Sequence, residues 1–228
     1  MDEKAFQEEL LRASEKFGIG LSLEQARLCR AHVALMLDWN RRLNLTRITD
    51  PREILEKHIL DSLLPARELP HAGFALDVGT GPGFPGIPLK ILLPELRMVL
   101  LEANRKKVSF LKVALAGLRL PEAWAVQGRW EEMERLRMPA GPGGFKLVTM
   151  RAVRLEPESL ELAEKSLEPG GVFAWWAGPG EEYLEGAARE EPPHRPGLVF
   201  QGEFPYDLPS AARPRRLLVW RRAAAPAG

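Results

Sequence analysis

Apolar side chains recur at two different spacings along this chain, and the spacing changes near residue 70. In the first part they lie three or four positions apart, as in amphipathic helices, and Pro65 marks the expected end of the last helix. In the second part short apolar runs alternate with helical stretches, which predicts a parallel sheet covered by helices. We therefore expect a helical region over residues 1–70, an α/β domain over 71–222 and a disordered tail over 223–228.

The short apolar runs predict seven strands, and the short connection between the last two favours an antiparallel edge. The predicted strands are 74–78, 98–102, 123–127, 145–150, 172–176, 198–200 and 216–220. Such a sheet binds its ligand at the carboxyl ends of its parallel strands. Asp77, Glu102, Gln127 and Arg151 fall at or just after four of these ends, so we interpret this edge of the sheet as the site.

The stretch LDVGTGPGFPGIP, residues 76–88, lies between the first strand and a short helix. Gly79, Gly81 and Gly83 let the backbone take positive φ and approach a ligand closely, while the helix start presents unpaired N–H groups. Gly81, Gly83 and Gly86 also satisfy G-x-G-x-x-G, which is weak evidence by itself. The stretch indicates a cradle of nucleotide size, and a plain βα turn without a cofactor is the alternative.

Two features favour S-adenosylmethionine (SAM) over a dinucleotide as the ligand. Pro82, Pro85 and Pro88 each remove a backbone donor where a pyrophosphate would need one. Asp77 ends the first strand, where its carboxylate would repel a diphosphate and suit a cationic ligand such as SAM. Glu102 follows the second strand, about twenty residues on, at the separation expected of an acid that binds a ribose diol.

Composition narrows the class of protein further. A chain of 228 residues with a formal net charge of +1 suits one domain of good size, or one domain with a small appendage. The charged N-terminus and the lack of a long apolar run predict a cytoplasmic protein without a signal peptide or a membrane span. A single cysteine, Cys29, and four scattered histidines predict that there is no metal site. We also expect a monomer.

Because the chain lacks global basicity, any binding of nucleic acid has to use local patches of cations. Three patches are visible: Arg41, Arg42 and Arg47; Arg105, Lys106 and Lys107; and Arg213, Arg215, Arg216, Arg221 and Arg222. Acidic residues concentrate at 131–134 and 181–191. Charge runs are usually solvated faces. The second patch opens a helix, where cations are unfavourable, so we predict that it contacts phosphates.

The stretch LDVGTGPGFPGIPLKILLPE, followed by LLEANRKKVSFLK and TMRAV, resembles the small-subunit rRNA methyltransferase G family, also called glucose-inhibited division protein B. Upstream, WNRRLNLTRITDPREILEKHILDSL resembles the N-terminal signature of that family. The likeness runs from about residue 39 to residue 180. It implies a Rossmann-like class I SAM-dependent methyltransferase that methylates N7 of a guanine in 16S rRNA, either free or within the small subunit.

The residues discussed above and the resemblance together indicate a set of cofactor contacts. The set is Asp77, Gly79, Thr80, Gly81, Gly83, Phe84, Glu102, Ala103, Asn104, Trp130, Glu131 and Arg151. Two positions depart from the family pattern. Trp130 stands where the family often has a small residue, which predicts a different packing of the adenine edge, and Ala177 with Gly178 stands where the family often has a lysine and a glycine. The phosphate contact of that lysine is therefore not carried over.

Guanine N7 carries a free lone pair, so its methylation needs positioning and no general base. Arg151 is the one residue that we assign to catalysis, because its planar fork can hold a phosphate or the Hoogsteen edge of guanine. The alternative is an arginine that pairs with Glu131 or Glu156 in the wall of the site. The predicted RNA contacts are Arg41, Arg42, Arg47, Arg105, Lys106 and Lys107.

Some residues and functions keep two interpretations. His58 and Asp61 of the N-terminal signature either face the RNA or the cofactor, or form a hydrogen-bonded set at the joint between the two regions. Trp175 and Trp176 alternate across a strand, so one belongs to the core and the other is a candidate for stacking on a base.

An NAD-dependent oxidoreductase and a nucleotide-sensing module without catalysis are the alternative functions.

Overall fold

The computed structural model describes residues 3–178, 195–211 and 213–224, so the predicted acidic stretch at 181–191 and the end of the predicted tail lie outside it. Before the sheet, two long helices are followed by a series of short helical segments. In order these are α1 (Glu3–Lys16), α2 (Leu23–Leu43), α3 (Pro51–Ile54), a π-helical turn (Leu55–Leu60), α4 (Asp61–Leu63) and a 3-10 turn (Leu64–Glu68).

The third helical region departs from its prediction in two ways. The α-helix ends at Leu63, close to Pro65 as predicted, but the chain continues as a 3-10 turn that has Pro65 near its start. Proline is tolerated there because the first residues of a new turn need no partner for an N–H group. The π-helical turn was not predicted, and single turns of this kind occur frequently at functional sites.

From Gly73 onward, strands and helices alternate as predicted. The strands are β1 (Gly73–Val78), β2 (Leu96–Glu102), β3 (Ala123–Gln127), β4 (Phe145–Arg151), β5 (Leu167–Ala177), β6 (Leu198–Tyr206) and β7 (Arg215–Arg222). The helices between them are α5 (Gly86–Leu92), α6 (Arg105–Gly117) and α7 (Pro157–Ser166), with a 3-10 turn at Trp130–Arg135.

The seven strands form one sheet in the order β3-β2-β1-β4-β5-β7-β6. β7 runs antiparallel to both of its neighbours, and the other pairs are parallel. This confirms the predicted seven-stranded, mostly parallel α/β fold with an antiparallel edge. Because β7 is reversed, its first residue, Arg215, lies beside Tyr206 at the edge where the parallel strands end.

Hydrophobic clusters cover both faces of the sheet, which is why the central strands read as continuous apolar runs. In β2, Leu100 belongs to the cluster on one face, and Val99 and Leu101 belong to the cluster on the other. The first cluster also contains Leu10 of α1 and Met36 of α2, both fully buried. The N-terminal helices therefore share a core with the sheet, and a domain boundary near residue 70 stays a prediction.

We expect Leu10→Ala to lower the free energy of unfolding of the whole protein by about 2–5 kcal/mol, because it leaves a cavity in the shared core. Denaturation followed by tryptophan fluorescence measures this, since Trp175, Trp176 and Trp220 are buried in the sheet. The control is Leu23→Ala, because Leu23 is 67% exposed, and its effect should stay below about 0.5 kcal/mol. A separate early transition that leaves the sheet unaffected would contradict the shared core.

Candidate cofactor site

The glycine stretch forms a loop between β1 and α5. Gly79, Gly81 and Gly83 adopt φ values of +63°, +59° and +95°, a region that side chains rarely allow. Space is also short, because a Cβ on Gly83 would lie 2.5 Å from Ile87 Cδ1 and one on Gly79 would lie 2.9 Å from Val153 Cγ2. Backbone conformation and space therefore both require glycine at Gly79 and Gly83.

Every backbone N–H group from Thr80 to Gly86 is bonded within the protein. Thr80 donates to Leu101 O (3.2 Å), Gly81 to Glu102 Oε2 (3.0 Å), Gly83 and Phe84 to Thr80 O (2.9 and 3.0 Å), and Gly86 to Asp77 Oδ2 (2.9 Å). Pro82 and Pro85 have no N–H group. Within α5, Ile87 donates to Gly83 O at 2.8 Å. The expectation of unpaired N–H groups at the helix start is therefore wrong, because the loop itself accepts their hydrogen bonds.

Asp77 lies beneath this loop and is fully buried. Its Oδ2 accepts from Thr80 Oγ1 at 2.6 Å and from the Gly86 N–H at 2.9 Å, and its Oδ1 accepts from Thr149 Oγ1 of β4 at 2.8 Å. Burial raises the pKa of this carboxyl to about 6, against the opposing effect of the hydrogen bonds. From the sequence, this carboxylate is expected to face a cationic ligand. The structure instead turns it into the protein, where it holds the loop.

Glu102 joins the loop to the start of α6. Its Oε2 accepts from the Gly81 N–H at 3.0 Å and its Oε1 accepts from the Asn104 N–H at 2.8 Å. Asn104 in turn caps α6, because its side chain accepts from the N–H groups of Lys106 at 2.9 Å and Lys107 at 3.4 Å. Glu102 and Asn104, two of the predicted cofactor residues, thus already make hydrogen bonds within the protein.

A cavity of about 340 Å³ opens beside the loop at the carboxyl ends of the strands. Five predicted cofactor residues line it: Gly79, Glu102, Ala103, Trp130 and Glu131. The other seven, which support the loop or lie next to it, are absent from the lining: Asp77, Thr80, Gly81, Gly83, Phe84, Asn104 and Arg151. The predicted edge of the sheet is therefore the edge that holds the cavity.

The sequence analysis missed several residues that line this cavity. They include Gly128, Arg129, Met150, Val153, Arg154, Glu158, Ser159 and Leu162. Most of them follow β3 or β4 closely, so their place at the carboxyl edge was a signal that could have found them. Among the lining residues, Trp130 is buried, and its Nε1 donates to Ser166 Oγ at 2.9 Å. A contact between Trp130 and adenine stays a prediction.

Phe84 packs between the loop and the N-terminal helices. Its ring lies 4.7 Å from the His32 ring and 4.6 Å from the His58 ring, which is nearly parallel to it. His32 Nε2 is 2.8 Å from Pro82 O, and His58 Nε2 is 3.2 Å from Thr46 Oγ1. Burial lowers the pKa of His32 to about 4 and that of His58 to about 3, so both rings are neutral near pH 7.

Arg151 pairs with Asp61 and not with Glu131 or Glu156. Its guanidinium donates to Asp61 Oδ2 at 2.9 Å and lies 5.6 Å from the centre of the Phe84 ring. Asp61 therefore belongs to a hydrogen-bonded set at the joint between the helices and the sheet, which was one of its two interpretations. The role of Arg151 in orienting the substrate stays a prediction.

The predicted RNA contacts lie at the end of α2, just after it, and at the start of α6. Arg41, Arg42, Arg47, Arg105 and Lys106 are exposed, and Lys107 is half-buried. The Trp39 ring of α2 lies 5.8 Å from the Phe110 ring of α6, so the end of α2 packs near the start of α6. Trp175 and Trp176 are 1% and 2% exposed, so both belong to the core and neither is open to stacking on a base. The N-terminal helical region covers the face of β5 that carries Trp176, and α7 covers the face that carries Trp175.

Neither a metal-binding cluster nor a membrane-spanning helix is found among the described residues. Across residues 3–178, 195–211 and 213–224, no group of three or more His, Cys, Asp or Glu side chains could hold a metal ion. No helix within the same ranges is both long and apolar enough to span a membrane.

The strand order, the reversed β7 and the glycine loop at the carboxyl edge define a Rossmann-like α/β fold with the strand arrangement of class I methyltransferases. Two solved structures are similar in fold. TYW2 from P. horikoshii in complex with MeSAdo has a TM-score of 0.52 at 11% identity, over 74% of this chain and 63% of that chain. TrmN from Thermus thermophilus has a TM-score of 0.50 at 16% identity, over 74% of this chain and 53% of that chain.

Sequence comparison identifies the family. The profile of GidB, described as rRNA small subunit methyltransferase G, matches residues 25–191. Ribosomal RNA small subunit methyltransferase G 1 of Syntrophobacter fumaroxidans is 54% identical over 205 residues, which are 90% of this chain and 91% of the relative. The Moorella thermoacetica methyltransferase G is 42% identical over 179 residues, 77% of this chain and 74% of the relative. This chain belongs to the rRNA small subunit methyltransferase G family, which confirms the resemblance.

We expect Gly86→Ala to destabilise the protein by about 1–3 kcal/mol and to weaken binding of SAM, the expected cofactor. A Cβ on Gly86 would lie 2.4 Å from Leu100 Cδ2 and 2.7 Å from Asp77 Oδ2, so it would displace the carboxylate that holds the loop. Thermal unfolding and calorimetric titration measure the two effects.

Gly117→Ala is the matched control for this change. Its Cβ would meet Leu35 Cδ1 at an ordinary 3.6 Å at the end of α6. We expect unchanged SAM binding and a stability equal to or slightly above that of the unaltered protein. If the two variants behave alike, the proposed dependence of the loop on Asp77 is wrong.

Proposed function

We propose that this protein transfers the methyl group of SAM to N7 of a guanine in 16S rRNA. Membership of the rRNA small subunit methyltransferase G family supports methyl transfer to RNA of the small subunit. The observation that carries the choice of cofactor is the bonding of every N–H group from Thr80 to Gly86 within the protein. A pyrophosphate needs such donors, whereas SAM contains no phosphate.

The cavity residues fit the groups that SAM presents. Glu102 uses its two oxygens for two backbone donors, but a carboxylate has about four lone-pair positions, so it can still accept from a ribose diol. Gly79 offers backbone without a side chain, and Trp130 and Leu162 offer apolar walls. The similar TYW2 structure is a complex with MeSAdo, which supports an adenosyl-thioether ligand for a chain of this fold.

The reaction asks for positioning and not for proton transfer. When bound, SAM supplies an electrophilic methyl group: the bond from sulfur to the methyl carbon breaks as the N7 lone pair forms the new bond. Because N7 is unprotonated in neutral guanine, no side chain has to remove a proton. We assign to Arg151 the orientation of the substrate, because Asp61 and Phe84 hold its guanidinium at the carboxyl end of β4.

The exposed cations at the end of α2 and the start of α6 support an RNA substrate, because local patches are the way in which a nearly neutral protein can bind phosphates. We propose that 16S rRNA, free or in the small subunit, contacts Arg41, Arg42, Arg47, Arg105, Lys106 and Lys107. We further propose that the protein works as a monomer in the cytoplasm, where ribosomal RNA is modified.

Incubation with labelled SAM and 16S rRNA from a strain that lacks the modification tests the function. We expect one labelled guanine whose methyl group is at N7, found by mapping the modified nucleotide, and SAM binding without NAD binding in calorimetry. Uptake of NAD without uptake of SAM would favour an oxidoreductase. SAM binding without any labelled RNA or subunit would favour a nucleotide-sensing module.

Removal of two cations at the start of α6 tests the RNA surface. We expect Arg105→Ala with Lys106→Ala to weaken RNA binding and to lower the slope of log affinity against log salt by about 0.7 per lost phosphate contact. Filter binding at several salt concentrations measures the slope. Lys112→Ala with Arg119→Ala, two exposed cations further along and just after the same helix, is the control. Equal slopes for the two double variants would exclude the first pair from the RNA surface.

A further inference from the structure

Asp61 of α4 is contacted by side chains from four strands. Its Oδ2 accepts from Arg151 of β4 at 2.9 Å, and its Oδ1 accepts from Tyr206 Oη of β6 at 2.8 Å. Its backbone oxygen accepts from Trp176 Nε1 of β5 at 2.8 Å. Arg215 of β7 completes the set, with Nε 4.0 Å from Oδ1. The ends of four strands therefore converge on one residue of the N-terminal helical region.

Two arginines thus share one carboxylate. The side chains of Arg151, Arg215 and Asp61 are only 10%, 18% and 8% exposed. At 4.0 Å, Arg215 is in ion-pair range of Asp61 but outside hydrogen-bond range, and the oxygen that it faces already accepts from Tyr206. Within the described part of the chain, Arg215 Nε is buried without a hydrogen-bond partner. A buried donor of this kind is costly unless a further group accepts its hydrogen bond.

The neighbouring acids are engaged elsewhere. Asp77 lies within electrostatic reach of Arg151, but its oxygens accept from Thr80, Thr149 and the Gly86 N–H. Glu56 accepts from both the N–H and the hydroxyl of Ser210, and Glu53 pairs with Lys57. Asp61 is the one carboxylate that contacts Arg215 among the described residues. The pair of arginines can therefore take an additional anion.

The position of the pair favours RNA over the cofactor as the source of that anion. Arg215 lies on the same face of β7 as Leu217 and Val219, which belong to the hydrophobic cluster shared with the N-terminal helices. The cofactor cavity opens on the other face of the sheet, beside α7, and neither arginine lines it. An anion held by this pair would lie at the carboxyl edge of the sheet but on the side of the exposed cations of α2.

We propose that Arg151 and Arg215, both held by Asp61, bind one phosphate of the RNA backbone next to the target guanine. Two guanidinium forks suit the oxygens of a phosphodiester. In this arrangement Asp61 is a positioning residue, because it fixes both guanidinium groups and touches no substrate. The proposal rests on the proposed function, and it adds Arg215 to the residues that bind the substrate.

Replacement of Arg215 by glutamine, with Arg216→Gln as the matched control, tests this proposal. Arg216 is the next residue of the same strand, is placed towards the other face, and pairs with Glu203. With 16S rRNA that lacks the modification as the probe, we expect Arg215→Gln to weaken RNA binding roughly tenfold. The salt slope should fall by about 0.7 to 0.9, as for one lost phosphate contact. SAM affinity should stay unchanged, because neither arginine lines the cofactor cavity, and Arg216→Gln should bind RNA as the unaltered protein does.

Arg215→Lys separates a lost phosphate contact from a lost fold. Lysine keeps the charge but not the fork, so we expect the salt slope to be retained while the affinity falls by a smaller factor. Unaltered RNA binding by Arg215→Gln would overturn the inference and leave the proposed function intact. Weaker SAM binding with an unchanged salt slope would assign the arginines to the SAM carboxylate and also overturn it. If the unaltered protein bound no RNA, the proposed function itself would fail.

Discussion

The buried carboxylate of Asp77 is the group on which the geometry of the glycine loop depends. It joins the loop through Thr80, β4 through Thr149 and the start of α5 through Gly86. A fully buried carboxylate needs such donors, because an unpaired charge in the interior is strongly destabilising. The same hydrogen bonds that satisfy the carboxylate therefore fix the loop relative to the sheet. Glu102 adds a second attachment at Gly81.

The proposed ligand contains no phosphate, and this arrangement would let a G-x-G-x-x-G loop hold such a ligand. In dinucleotide sites the N–H groups at the helix start bind the pyrophosphate. Here Asp77, Glu102 and the Thr80 carbonyl accept hydrogen bonds from the N–H groups of the loop. Pro82 and Pro85 have no N–H group to donate. A ligand in the cavity would meet the backbone of Gly79 and the lone pairs of Glu102, which suit hydroxyl and ammonium groups. The residues that accept or remove the hydrogen bonds of the loop therefore argue for the class of ligand more than the glycines do.

The sheet was predictable from sequence because its strands are buried on both faces and so read as apolar runs. The edge that carries the cavity followed from the same pattern. The direction of individual side chains did not follow, because it depends on contacts between distant segments. Asp77 turns towards Thr149 and Gly86, and Arg151 turns towards Asp61 in place of the nearer acids in sequence. Hydrophobic spacing carries no information about such pairs.

The N-terminal helices do more than cover the sheet. Asp61 contacts residues 90, 115 and 145 positions away, from three different strands. Without α4, Arg151 would keep its position in the sheet but lose the carboxylate that pairs with it, and a largely buried arginine without a partner would be destabilising. The π-helical turn before α4 also places His58 against Phe84 of the glycine loop. The hydrophobic spacing therefore divides the sequence into two parts near residue 70. The contacts of Asp61 and His58 nevertheless join both parts in one site.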